Sequence, residues 1–159
     1  MIESNEKNMK QKTLIAIMGL HDQGKTTTMN LMVGKLKKLS GASSVTLPQK
    51  ENIATFLIQI GNITIGVIDS DHPYLVVNAI KDFVKVRECN IIVCRSCFLQ
   101  RTTTVNTYID SRALSAYRVL KTTNYSIANK KPQPLHDILN EHSANQLVDT
   151  IKGIMSGTI

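Results

Sequence analysis

Eight consecutive residues, GLHDQGKT from Gly19 to Thr26, set two glycines around a four-residue interval and follow them directly with a lysine and a threonine. Glycines let backbone N–H groups turn inward around phosphate oxygens, and a helix that starts there adds its positive end. A lysine at this spacing reaches the β- and γ-phosphates, and the hydroxyl that follows it is a ligand for Mg²⁺. The pattern predicts a nucleoside triphosphate site built from Gly19, Leu20, His21, Asp22, Gln23, Gly24, Lys25, Thr26 and Thr27. The His21 imidazole can touch nucleotide or simply face solvent.

Two further residues fit a metal beside such a phosphate. Asp69 closes the apolar run ITIGVI, 50 residues beyond Gly19, and an acid at the carboxyl tip of a buried strand is placed to hold Mg²⁺ directly or through water. Thr46 lies 21 residues after Lys25 in a polar stretch, where a hydroxyl can close on the metal when a γ-phosphate is present. The expected metal set is therefore Thr26, Thr46 and Asp69. Cys94 and Cys97 make a single C-x-x-C; without a second pair or a nearby histidine it reads as buried thiols before it reads as a zinc site.

The elements that must position these groups follow from periodicity. TLIAIM at Thr13 to Met18 is a short buried strand, and Met29, Met32, Val33, Leu36 and Leu39 form one stripe of a helix that Gly41 is placed to end. The stretch from Ser40 to Asn52 reads as a long exposed loop. TFLIQI and ITIGVI, separated by Gly61-Asn62 alone, predict an antiparallel hairpin. A helix is expected from Leu75 to near Glu88, and NIIVC is the next strand. The spacing of Val105, Ile109, Ala113, Tyr117 and Leu120 predicts a helix, Tyr125 to Ala128 a short last strand, and Ser143 with Gln146 a capping box for the final helix. The expected architecture is α/β: a mostly parallel sheet with one antiparallel hairpin and helices on both faces, in one domain from residue 13 to 159 behind a polar segment 1–12.

Composition bounds the rest. The chain has 159 residues, 42% apolar and 19% charged, which suits a packed domain and excludes disorder and collagen-like repeats. No apolar run is as long as a bilayer-spanning helix, the first dozen residues are polar, and three cysteines are too few for a secreted disulfide scaffold. A cytoplasmic protein with no membrane partner is expected. Net charge is +7, and nine Lys or Arg against two acids between Lys85 and Lys131 account for all of it, so an anionic partner such as RNA is a candidate beside an ordinary solvated basic face.

The order strand, phosphate loop, helix, long loop, antiparallel hairpin, Asp resembles the P-loop GTPase G domain. GLHDQGKT is similar to the GHVDHGKT loop of translational GTPases of the elongation factor Tu and selenocysteine-specific elongation factor group, with Gly19, Asp22, Gly24, Lys25 and Thr26 in common. HPYLVVNAI resembles that group's PGHxDYVKNMI around Val77-Asn78, and FLQRTTT resembles its MPQTREH segment at Leu99-Gln100. The resemblance implies a GTP-binding, Mg²⁺-dependent switch with tRNA or the ribosome as partner, Asn129-Lys130 at the base-reading NKxD motif, and His72 in the part of the histidine that positions water. Ser143-Ala144 would echo the small-residue loop behind the base.

This chain departs from the pattern at two places. D-x-P-G-H becomes Asp69-Ser70-Asp71-His72-Pro73, without the glycine and with the histidine one position early, and Pro132 replaces the NKxD acid. Weak or lost hydrolysis and relaxed choice between GTP and ATP are therefore expected. Two other functions stand beside the switch: a small phosphotransferase whose acceptor is bound by Arg95, Arg101 and Arg112, and a pseudo-GTPase module that binds RNA or protein.

Overall fold

The computed structural model describes residues 12–18, 25–45, 47–48, 50–95, 103–111, 114–123 and 133–158, with backbone alone at 25–26, 103–104, 123 and 133–136. Along the chain run β1 (Lys12–Met18), α1 (Lys25–Lys37), β2 (Ala42–Val45), β3 (Ala54–Ile60), β4 (Ile63–Asp69), α2 (Pro73–Lys85), β5 (Ile91–Arg95), α3 (Thr103–Ile109), β6 (Tyr117–Thr123) and α4 (Gln133–Ser156). The strands form one six-stranded sheet in the order β2-β3-β4-β5-β1-β6. β1 pairs in parallel with β5 and β6, and β5 in parallel with β4, whereas β3 is antiparallel to both β4 and β2.

Helices cover both faces. Alternate residues of the central strands feed two cores: Leu14, Ala16, Ile68, Ile92 and Cys94 pack with Val76, Ile80, Phe83, Val105 and Ile109 on the α2 and α3 side. Ile15, Ile17, Ile65, Val67, Ile91 and Val93 pack with Met29, Met32, Leu36, Leu147 and Ile151 on the α1 and α4 side. Covering a strand on both sides removes polar alternation, which is why TLIAIM reads as one apolar run. The hairpin turn is as expected: Gly61 at its first central position takes φ +59°, a conformation that costs glycine little.

Four expectations are corrected. The polar loop from Ser40 to Asn52 contains β2, an edge strand whose residues ASSV are mostly exposed and whose place comes from pairing Ala42 with Ile60 and Val45 with Leu57. The sheet consequently has two antiparallel pairings, and is mixed. The helix expected to reach Leu120 stops at Ile109, where Ser111 Oγ donates to the Tyr108 carbonyl at 2.6 Å; Tyr117 to Thr123 instead forms β6, seven residues in register with β1. A helix-like spacing of apolar residues gave way to β-branched content and to a long parallel ladder. Finally, Ser143 caps nothing: α4 begins at Gln133, so Ser143 and Ala144 lie inside it, buried, neither a cap nor a loop behind a base. The strand expected at Tyr125 to Ala128 lies outside the described residues.

Candidate phosphate site at the carboxyl ends of the strands

β1 ends at Met18 and α1 starts at Lys25, so the Gly19–Gly24 segment joins a strand tip to a helix N-terminus. The first turn of α1 is Lys25-Thr26-Thr27-Thr28, with no acid to compete for its N–H groups, the ones a helix cannot satisfy internally. Residues Gly19, Leu20, His21, Asp22, Gln23 and Gly24 and the side chains of Lys25 and Thr26 lie outside the described residues, and Thr27 is exposed. Thr28 is fully buried and its Oγ1 donates to Asn140 Oδ1 of α4 at 3.4 Å, which anchors the start of α1. Lys35 and Glu141 add a second tie at 2.5 Å.

One and two strands away from the loop, β5 and β4 both end on a charged side chain. Asp69 and Arg95 stand one step beyond the Ile68–Cys94 pair, on the sheet face that carries α1. Their side chains are 8% and 9% exposed, and Arg95 Nε lies 2.9 Å from Asp69 Oδ1. The other end of the guanidinium donates from Nη2 to Asp71 Oδ1 at 2.6 Å, and Asp71 is 46% exposed. The turn after β4 is held at a second point, because Ser70 Oγ donates to the Asn52 carbonyl at 2.6 Å and accepts from the His72 N–H at 3.0 Å. His72 is exposed and stands at the N-cap of α2 with no side-chain cap bond, followed by Pro73 at the position where a missing N–H costs nothing.

Because β5 lies between β4 and β1, the Asp69 tip is two strand spacings from the β1 tip, about 10 Å. Asp69 is the one member of the expected metal set with a described side chain; Thr46, like Asn129 and Lys130, lies outside the described residues. The Asp69 carboxylate is already paired, and a divalent ion bound to it would face a guanidinium at hydrogen-bond range. Among the described residues no three His, Cys, Asp or Glu side chains gather as a metal site. The described residues therefore do not fit a ready-made Mg²⁺ site at Asp69.

Burial pushes the Cys94 thiol up to about 12. Cys94 packs in the core on the α2 and α3 side, and Cys97 lies outside the described residues. A cavity of about 400 Å³ opens between α4 and the upper ends of β1 and β6, lined by Ile17, Thr122, Ser143, Gln146 and Asp149 among others. It adjoins the strand that leads into the glycine segment.

Among the described residues of the basic segment, the cations do not share one surface. Arg95 is interior, Arg87 sits 3.8 Å from Asp82 near the opposite end of β5, and Lys121 pairs with Asp110 at 3.1 Å. Arg95 is the residue whose role the sequence pattern understated. The available signal was that IIVCR and ITIGVID are both buried strands ending on an ionisable residue, with opposite charges.

Comparisons with known proteins matched no family model, no curated protein and no solved structure. No helix among the described residues is long and apolar enough to cross a membrane.

Proposed function

We propose that the chain binds a nucleoside triphosphate, GTP or another, through Gly19 to Thr27 and works as a nucleotide-dependent switch of the kind its sequence resembles in translational GTPases. One observation carries this reading: GLHDQGKT spans the junction between a buried central strand ending at Met18 and a helix beginning at Lys25. In that setting the free N–H groups of the first helical turn can bind phosphate oxygens, and a lysine at this spacing after the glycines adds an ammonium for the outer phosphates. The turn Ser70 to His72, attached to Asp69, is the element such a ligand would bias.

The exposed His72 sits on a helix N-cap, and Pro132 offers no acceptor to a guanine ring. Both support slow turnover and weak base choice. The phosphotransferase reading loses support from Arg95, whose guanidinium is buried between two carboxylates and so is not presented to an acceptor. The test is calorimetric titration with GTP, ATP and GMP, with and without Mg²⁺. Micromolar triphosphate binding supports the reading, and binding of none of them refutes it.

A further inference from the structure

The side of β3 that looks toward α2 borders a cavity. Leu57 belongs to the core on that side and Thr55 shares its face by alternation, while Phe56 and Ile58 point to the α1 side. Between Thr55, α2 and the residues Leu47, Pro48, Lys50 and Ile53 ahead of β3, the cavity measures about 400 Å³, the size of a small-molecule site. Its apolar wall is Leu47, Ile53, Leu75, Ala79 and Phe83. β4 and β5 stand between β3 and β1, so this space is separate from the strand that leads into the glycine segment.

Charge is distributed unevenly along the cavity. Towards the end of α2, Asp82 and Arg87 line it and face each other, Oδ2 to Nε, at 3.8 Å. Lys50 bridges to Ile53 just ahead of β3, whose first residue Ala54 pairs with Asp69, so Lys50 stands at the other end, where α2 begins. It forms no ion pair among the described residues. From Leu75 to Asp82 the helix rises about 10 Å, at roughly 1.5 Å per residue. Thr55 and Asn78 add neutral hydrogen-bonding groups to the lining. One cation without a partner at one end, an acid already matched at the other and an apolar wall between them suit a ligand with a single negative group. A second anion would meet Asp82, and a cation at the near end would meet the Lys50 ammonium.

We propose that this cavity is a binding site for a small monocarboxylate, its carboxylate on Lys50 and its apolar body, about 10 Å long, laid along Leu75, Ala79 and Phe83. The site does not depend on nucleotide binding, because none of its residues belongs to the glycine segment or to the Asp69 network.

The test is an amide chemical-shift titration of the isotope-labelled full chain with phenylbutyrate and with phenylbutanol, its uncharged counterpart. Shifts should saturate at Ile53, Thr55 and Ala79, with the carboxylate bound more tightly than the alcohol. Lys50 is exposed, so Lys50→Gln should weaken the carboxylate by about three- to fivefold and the alcohol by less than about twofold. Ala79→Leu puts a larger side chain into the wall and should abolish binding of both; Lys50→Gln, at an exposed position, decides the matter if that chain does not fold. Shifts at those amides that fail to saturate by about 10 mM, or a carboxylate-to-alcohol ratio that Lys50→Gln leaves unchanged, would overturn the proposal.

Discussion

Replacing Arg95 by methionine should cost far more stability than replacing Asp71, the member of its network that faces water. The substitution keeps the bulk of the side chain and removes the charge, leaving Asp69 at 8% exposure with no cation beside it. Removing one partner of a buried pair costs about 3–5 kcal/mol, because the surviving charge keeps its desolvation penalty. For a chain of this size each kcal/mol moves the midpoint by roughly 2–4 °C, so Arg95→Met should lower Tm by about 6–20 °C. Asp71→Asn breaks a contact whose acid is 46% exposed, and should cost less than about 1 kcal/mol. The double variant Asp69→Leu/Arg95→Met removes both buried charges and should recover most of the single variant's loss. Urea denaturation of wild type and the three variants provides the comparison. Equal small losses for Arg95→Met and Asp71→Asn, with no recovery in the double variant, would refute the claim that the Asp69–Arg95 pair is the buried member of the network.

Other expectations test separate parts of the account. A Cβ at Gly66 would lie 2.3 and 2.6 Å from the Phe83 ring and 3.0 Å from Cys89 Sγ, so Gly66→Ala should destabilise by about 1–3 kcal/mol, and Phe83→Leu in the same chain should relieve part of it. Burial, the largest cause for each, holds Cys89, Cys94 and Tyr117 up at about 12 against ordinary values of 9.0 for thiols and 10.0 for the phenol. Their contribution to stability is complete below pH 9 and is lost as pH rises towards 12, because the unfolded chain gives up these protons first; urea midpoints should fall over that window, and Cys94→Ala should flatten the fall. Basal GTP hydrolysis should run no faster than ~10⁻⁴ s⁻¹ in single-turnover assays and change little in His72→Ala; rapid hydrolysis abolished by that substitution would show the shifted histidine to be a working catalyst. GTP should be preferred to ATP by less than about tenfold, and a thousandfold preference would mean that an acid elsewhere reads the base.

Much of the fold was legible because the strongest local signals agree with the sheet. The run ending at Met18, the stripe from Met29 to Leu36 and the Gly61-Asn62 turn each specify an element without help from elsewhere. Where reading failed, the deciding interactions were not local. The residues of β2 are small, polar and exposed, and only the backbone of β3 makes them a strand. Tyr117 and Leu120 fit a helical stripe, yet they pair with β1, and Tyr117 donates its hydroxyl to the Cys89 carbonyl at 2.5 Å, 28 residues back in the chain. Ser143 and Gln146 match a capping pattern inside a helix that had already begun ten residues earlier.

The site was legible in part for the same reason. The glycine segment is contiguous in sequence, and its flanking strand and helix are local. Asp69 was identified as a charged strand tip, but its partner arrives from β5, 26 residues later, and the strand order that seats β5 between β4 and β1 is written in no short motif. Pairing with Arg95 changes what Asp69 can do: an acid that sequence assigns to a cation in solution is held by one from the protein. Asp71, which beside a phosphate would repel it, is instead turned onto the same guanidinium.

The central claim is that Gly19 to Thr27 binds the phosphates of a nucleotide, and Lys25→Ala tests it most directly. Titration calorimetry of wild type and variant with GTP and GMP separates a lysine that reaches outer phosphates from one that merely adds positive charge. The account predicts that Lys25→Ala weakens GTP by about tenfold or more, the worth of one hydrogen bond to a charged group, and leaves GMP within about twofold. Equal weakening of both nucleotides, or no measurable binding of GTP to wild type, would contradict it.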